Sequence, residues 1–147
     1  MSHKYNDLLA HSDGFVDRSI VQQIMDINFE SKKMNIEIDK TPSNNSFAKK
    51  IIVNLNRLTK SFEIQQADAI VDLFDIIEKL DLQIDISEAQ NIYYNKIYHR
   101  IGDIIVNNME SPKEKDIKFV KLLLEIGVRL NINVDFYKVK LDKLALA

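Results

Sequence analysis

Apolar residues recur at steps of three and four along most of this chain, the spacing that places side chains on one face of an α-helix. The segments with this spacing are Ile20 to Phe29, Phe47 to Phe62, Ala67 to Ile77, Ile92 to Ile105 and Ile117 to Leu130. The pattern predicts five amphipathic helices and a short sixth helix after Asp135. Apolar residues are densest in the fifth helix, which we expect to lie at the centre of the fold.

Residues that favour helix starts precede four of these segments. They are Asp17 as a cap with Val16 and Val21 as a hydrophobic staple, Thr41 before Pro42, Ser87 with Gln90 as a capping box, and Ser111 before Pro112 with Glu114. We therefore expect helices to begin close to these positions.

One short phrase of alternating apolar and polar residues occurs more than once. KLDLQID at 79–85 reappears as RLNINVD at 129–135, a shift of 50, and more weakly as KMNIEID at 33–39. Each copy lies between two helical segments, so we interpret the phrase as a link whose apolar residues pack inward and whose final aspartate caps the next helix. A period of this size is typical of stacked helical hairpins. Two unrelated links of similar geometry, or a very small β-sheet, are the alternatives.

These patterns predict an all-α fold. We expect one domain over residues 1–147, with five or six helices arranged as stacked antiparallel hairpins, in a bundle or a short helical repeat, and with residues 1–15 flexible. The length of 147 residues suits one domain, and 3 glycines and 2 prolines are too few for a sandwich or barrel of many tight turns.

Composition and charge narrow the classes of partner and chemistry that we expect for this protein. The net charge of -2 gives no field that would attract nucleic acid, and the absence of cysteine excludes disulfides and thiolate chemistry. We find no signal peptide and no long apolar run, so we expect a soluble, cytoplasmic protein without nucleic-acid or membrane partners.

Motifs for catalysis or metal binding are weak. The three histidines, His3, His11 and His99, lack helical spacing to one another, and HSDG at 11–14 is typical of a turn. Asp68, Asp72 and Asp75 form an acidic ladder, which we interpret as a solvated helix face. We expect no metal, no cofactor and no catalytic residue.

The segment IYYNKIYHR at 92–100 contains the densest group of aromatic and basic residues. The candidate binding residues within it are Tyr94, Tyr98, Lys96, His99 and Arg100. Tyr94 and Tyr98 are four residues apart and share a helix face, so a sugar ring or a phosphate could dock there. The interpretation that we prefer is that Tyr93, Tyr94 and Tyr98 are half-buried against a neighbouring helix, with their hydroxyls in water.

The run LFDIIEKLDLQIDISEAQNIYYNKI at 73–97 resembles the C-terminal all-helical region of glycoside hydrolase family 57-like proteins. Ala89, Gln90, Asn91, Tyr93 and Tyr94 stand where those regions carry the same residue pattern after an acid-capped start. The resemblance implies an accessory all-α domain of a carbohydrate-active enzyme. It brings no catalytic residue, because the chain is too short to contain the catalytic barrel.

We therefore expect a non-catalytic binding or scaffolding module that engages a protein partner or a second copy of itself. The alternative is an accessory domain of a glycoside hydrolase-like enzyme, with the tyrosine-rich helix contacting carbohydrate.

Overall fold

The computed structural model describes residues 2–10, 18–35 and 37–146, and within these ranges it contains helices and no strand. The helices are α1 (Ser2–Ala10), α2 (Arg18–Lys33), α3 (Thr41–Ser61), α4 (Ile64–Lys79), α5 (Ser87–Ile92, Tyr93–Ile97 and Tyr98–Asn107 in continuous succession), α6 (Glu114–Arg129) and α7 (Asp135–Leu146). The predicted all-α class is confirmed, and the small β-sheet does not form. The predicted number of five or six helices is wrong, because the described ranges contain seven.

The additional helix is α1, which has little apolar periodicity of its own. Its Tyr5 side chain is fully buried, and burial raises the pKa of the hydroxyl to about 12, so the group stays neutral at physiological pH. Tertiary contact therefore supports a helix that local pattern does not indicate. The expected flexibility of residues 1–15 stays a prediction, and the Val16 and Asp17 staple and cap lie outside the described residues.

The helices pack in a regular order. Hairpins form where neighbours along the chain contact each other, as α1 with α2, α3 with α4 and α5 with α6 do. The odd-numbered helices contact one another in sequence, α1 with α3, α3 with α5 and α5 with α7, and α4 packs on α6. Helix α6 thus contacts α4, α5 and α7, and most of its apolar residues are buried, as its dense apolar pattern predicts.

The helix bounds reveal an internal repeat with a period of 46 residues, in addition to the shift of 50 between copies of the repeated phrase. A shift of 46 residues carries Arg18–Lys33 onto Ile64–Lys79 and Thr41–Ser61 onto Ser87–Asn107. Buried positions follow the same shift, with Phe47 matching Tyr93 and Ile51 matching Ile97. The six-residue link after α5 replaces the two-residue link after α3, and these four extra residues explain why a shift of 50 relates α4 to α6.

The repeated phrase is a helix C-terminal motif. Its third residue, Asn35, Asp81 or Asn131, has φ of 55°, 52° or 57°, the left-handed conformation that asparagine and aspartate tolerate better than most residues. At Asp81 the N–H donates to the Glu78 carbonyl and the next N–H donates to the Ile77 carbonyl, and Asn131 repeats both bonds. These are the two hydrogen bonds of a Schellman motif, so the phrase ends a helix and turns the chain.

The apolar residues of the phrase pack as expected. Leu80 and Leu130 are fully buried, Leu82 and Val134 are buried, and Ile84 and Ile132 are partly buried. Side chains from distant parts of the chain then cap the two helix ends: the ammonium of Lys40, the residue before α3, donates to the Leu80 carbonyl at 2.9 Å, and the Gln90 amide of α5 donates to the Leu130 carbonyl at 2.7 Å. The link is structural.

The helix starts differ in detail from the prediction. Gln90 does not form a capping box with Ser87, because its side chain reaches the end of α6. Asp85 lies two residues before α5 and accepts the Ser87 N–H at 3.0 Å. At the start of α7 it is Asn133 that accepts a backbone N–H, that of Asp135, and Asp135 is itself the first residue of the helix. Thr41 is the first residue of α3 and not its cap, and α6 begins at Glu114 rather than at Pro112.

The aspartate bonds at these starts predict an acid-sensitive contribution to stability. Asp39 and Asp85 accept the Thr41 and Ser87 N–H groups at 3.0 Å, and these bonds lower the pKa of both carboxyls. Because the folded pKa lies below the unfolded pKa, the contribution is present above the unfolded value and is lost as pH falls through the folded one.

We expect the melting temperature of the wild type to fall below pH of about 4 more steeply than that of Asp39→Asn with Asp85→Asn, whose amide oxygens still accept these bonds without titrating. Thermal unfolding followed by circular dichroism across this pH range tests the difference. Asp142→Asn, at an exposed position within α7, is the control and should follow the wild type. Identical acid profiles for all three proteins would contradict the role of the two caps.

Candidate functional site: an aromatic surface on α5 and α7

A π-helical turn interrupts α5 at the candidate site. Residues Tyr93–Ile97 form the turn, and the Tyr98 N–H donates to the Tyr93 carbonyl, five residues earlier. The matching segment of α3, 46 residues earlier, is regular α-helix. Such turns often occur at functional sites because they change the direction of the side chains that follow. Here Tyr93 is fully buried, whereas Tyr94 next to it is 54% exposed.

Tyr93 anchors the turn to α6. Its hydroxyl donates to the Leu123 carbonyl at 2.7 Å, and burial raises the pKa of the hydroxyl, which therefore stays protonated and keeps donating. Gly127 provides the space, since a Cβ at this position would lie 2.6 Å from the Tyr93 oxygen. The sequence predicts half-buried tyrosines in this segment, and Tyr93 is fully buried.

Three of the candidate residues lie together. The Tyr94 and Tyr98 rings have centroids 5.5 Å apart at 24°, a stacked arrangement. The His99 ring lies 6.1 Å from Tyr94 and 5.9 Å from Tyr98, edge to face in both cases. These geometries are the favourable ones for aromatic pairs, so the three rings support one another's positions.

Helix α7 extends this group with residues that the sequence pattern did not assign to the site. Tyr137 packs on Tyr98 with ring centroids 4.8 Å apart, and Phe136 contacts Tyr137 at 5.4 Å. We call Tyr94, Tyr98, His99, Phe136 and Tyr137 the aromatic surface. Phe136 is 61% exposed, so the surface presents a large apolar ring at one end and Tyr94 at the other. The signal available in the sequence was the Phe136–Tyr137 pair, whose distance from Tyr98 only the fold shortens.

Tyr137 connects the two helices because Gly102 allows a close approach. A Cβ on Gly102 would lie 3.1 Å from the Tyr137 oxygen, so the glycine permits the tyrosine ring to lie against α5. Burial, together with Tyr98 and Asp103 nearby, raises the pKa of the Tyr137 hydroxyl. The Tyr137 hydroxyl therefore remains neutral at physiological pH.

The two remaining candidates differ from the tyrosines. Lys96 is exposed to solvent. Arg100 is directed to α3, where its guanidinium lies 3.5 Å from the centroid of the Phe62 ring and donates to the Thr59 carbonyl at 2.8 Å. The arginine thus caps the C-terminal turn of α3 and packs α5 against it. A cation does adjoin the aromatic surface, since the Lys140 ammonium lies 4.3 Å from the Phe136 ring centroid.

Comparison of the repeats shows that the exposed face of α7 is unusual. The third residue of α3, α5 and α7, which is Ser43, Ala89 or Tyr137, is buried, and this establishes the correspondence among these three helices. The exposed second and fifth residues are Pro42 and Asn45 in α3, Glu88 and Asn91 in α5, and Phe136 and Val139 in α7. A position that carries polar residues or proline in two copies therefore carries two exposed apolar residues in the third. Exposed apolar groups of this kind mark interaction surfaces.

Other regions that the structure describes have fewer features of a binding site. An open cleft between the α3–α4 and α5–α6 links contains one buried polar side chain, Asn108, whose amide donates to Ile104 and Asp116 and accepts the Lys113 N–H. These bonds satisfy the amide internally, so it organises the link. Within the described residues, no three His, Asp or Glu side chains converge as they would around a metal ion.

Comparisons with models of protein families, with curated proteins and with solved structures find no match to this chain. The resemblance to the helical region of glycoside hydrolase family 57-like proteins therefore stays a prediction. Over the described ranges, none of the helices combines the length and the apolar character needed to cross a membrane.

Proposed function

We propose that this protein is a non-catalytic helical-repeat module that binds a protein partner through the aromatic surface. The observation that carries the proposal is the exposed pair of apolar residues on α7, where the corresponding positions of α3 and α5 are not exposed apolar residues. Phe136 contacts the ring of Tyr137, which lies against Tyr98 and Gly102 of α5, and Val139 is three residues further along the same helix. Stable exposed aromatic rings are typical of the residues that dominate protein interfaces.

The ordered packing beneath the exposed rings supports a role in binding. Tyr98 and Tyr137 are fixed between two helices, so the exposed rings of Tyr94 and Phe136 rest on an ordered base. Binding to such a surface orders few additional side chains, which lowers the entropic cost of association. Catalysis is not part of the proposal, and His99 within the surface contacts the rings of Tyr94 and Tyr98.

Selection from a phage-displayed random peptide library tests the proposal. We expect the immobilised wild type to select peptides whose affinity falls about tenfold or more with Tyr94→Ser or Phe136→Ser, as truncation of interface anchors usually produces. Val53→Ser is the matched control, because Val53 is also an exposed apolar residue but lies on α3. The proposal would be overturned if the selected peptides lost as much affinity for the Val53→Ser variant as for the Phe136→Ser variant. It would also be overturned if no selected peptide depended on Tyr94 or Phe136.

An accessory role in carbohydrate binding is the second candidate. The observation that favours it is the stacking of Tyr94 on Tyr98, which leaves a flat aromatic face such as a sugar ring packs against. Titration with an α-glucan oligosaccharide, followed by tyrosine fluorescence, is the second arm of the same experiment. A response in the wild type that disappears in Tyr94→Ala but persists in Phe136→Ser would favour carbohydrate over a protein partner. Cytoplasmic localisation stays a prediction.

A further inference from the structure

Helix α1 holds the place of an odd helix in the first unit of the repeat. The shift of 46 residues carries Tyr5 onto Ile51 in α3 and Ile51 onto Ile97 in α5, and all three side chains are fully buried. The helix has nine residues, however, against 21 in α3. Tyr5 is the buried residue among positions 2–7, whereas α3 buries five residues along its length. Fewer buried side chains therefore anchor α1 than anchor α3.

Polar side chains of α1 bind the start of α3. The Ser2 hydroxyl accepts the Asp39 N–H at 2.9 Å, and the Asn6 side-chain oxygen accepts the Ser43 N–H at 3.1 Å. Both bonds join residues that are 37 apart, so α1 runs parallel to the first turns of α3. The Asn6 side-chain nitrogen also donates to the Asp39 carbonyl at 3.0 Å. The bonds at Asp39 lie at the surface, where water replaces them when the helix leaves, so their net contribution is small.

The apolar anchor of α1 is incomplete. The Tyr5 hydroxyl is buried near Asn28 but makes no hydrogen bond of ordinary geometry. Burial of an unpaired hydroxyl is unfavourable, and the isoleucines at the equivalent positions of α3 and α5 have no such group. Docking of α1 therefore gains the burial of one ring and loses the hydration of its hydroxyl.

Helix α2 depends on α1 for its position. It packs closely on α1, and its contacts with the other described helices are marginal. The next even helix, α4, packs closely on both α3 and α6, and Arg129 of α6 pairs with Asp75 and Glu78 of α4. The α1–α2 hairpin is thus attached to the molecule mainly through α1, whereas the α3–α4 and α5–α6 hairpins are joined through both of their helices.

We infer that α1 is a latch that undocks from α3 while the remaining helices stay folded, and that the α1–α2 hairpin separates with it as one unit. Undocking uncovers the first turns of α3. Parallel packing extends the covered face from Ser43 to Phe47, one turn further, and these residues are at most 1% exposed when α1 is docked. The latch therefore controls access to a concealed face of α3, and it does so independently of the aromatic surface. Local opening of this kind involves the least stable unit of a protein.

Hydrogen exchange of the backbone amides, measured on peptides by mass spectrometry, tests the latch. In the wild type we expect α1 and α2 to exchange together and faster than α4 and α6. Tyr5→Ala should remove the protection of α1 and α2 and leave α4 and α6 protected. Ile97→Ala, at the equivalent position of α5, is the matched control. It should accelerate exchange in α4 and α6 as well, because it opens a cavity in the shared core.

Asn6→Ala is a milder variant that removes two of the bonds to α3. We expect the amides of α1 and α2 to exchange about tenfold faster, and those of α4 and α6 to exchange at the wild-type rate. Asn45→Ala, at an exposed position of α3, is its control and should not accelerate the exchange of α1 or α2.

The inference is overturned if Tyr5→Ala removes the protection of α4 and α6 as Ile97→Ala does, since α1 would then be part of the common core. It is also overturned if α2 keeps its protection when α1 loses it, because the hairpin would not separate as one unit.

Discussion

Gly127→Ala should lower the free energy of unfolding by about 2–4 kcal/mol, although alanine normally stabilises a helix interior by about 1 kcal/mol relative to glycine. The added Cβ would lie 2.6 Å from the Tyr93 oxygen and 2.7 Å from Cγ1 of Val134, closer than side chains tolerate. Relief would require moving Tyr93 away from the Leu123 carbonyl, which breaks a buried hydrogen bond. The π-helical turn should shift with it. Urea unfolding followed by circular dichroism measures the loss.

Gly102→Ala is the control for this change. Its Cβ would meet the end of the Tyr137 side chain at 3.1 Å, and a small displacement of the ring relieves that contact. We therefore expect a change of less than about 1 kcal/mol, because the gain in helix propensity offsets part of the strain. A Gly127 variant as stable as the Gly102 variant would show that the space between α5 and α6 is less filled than these distances indicate.

Leu80→Ala and Leu130→Ala should each lower the free energy of unfolding by about 2–5 kcal/mol, whereas Met34→Ala should cost less than about 0.5 kcal/mol. The three residues hold the same place in the three copies of the repeated phrase. Leu80 and Leu130 are fully buried, but Met34 is 61% exposed. Their equivalent positions in the sequence predict that the three substitutions destabilise the protein by similar amounts. Their burial predicts instead that the two leucine substitutions destabilise it much more than Met34→Ala.

Chemical denaturation of the three variants compares these values directly. The midpoint should move to lower denaturant for both leucine variants with little change in slope, because each leaves a cavity in the core. Equal destabilisation by all three substitutions would mean that Met34 is buried in solution, and that the first copy packs like the other two.

Much of the fold was predictable from residue spacing. The segments around Ile51, Ile70 and Leu123 show helical periodicity and form α3, α4 and α6, because one buried face per helix is a local property of sequence. The repeated phrase correctly marked the links, since an asparagine or aspartate in the left-handed conformation between two apolar residues suits a helix end. Helix α1 was missed because its stability depends on burying Tyr5, which its own pattern does not reveal.

The candidate site was predicted in part. Spacing four apart placed Tyr94 and Tyr98 on one face and made them candidates, and the structure stacks them. The same spacing gave no reason to separate Arg100 from the tyrosines. Its guanidinium lies on Phe62, and the distance between these two residues depends on how α5 packs against α3.

The sequence by itself determined the helical class, most helix positions and the repeated links, because these follow from periodicity and from the conformational preferences of single residues. Tertiary structure decided which equivalent residues are buried and which are exposed. Met34 and Leu80 are similar in sequence and opposite in exposure, and Phe136 joins Tyr98 through Tyr137 across two helices. Burial and proximity between distant segments depend on how the helices of the described residues pack together, and a local pattern contains only one helix at a time.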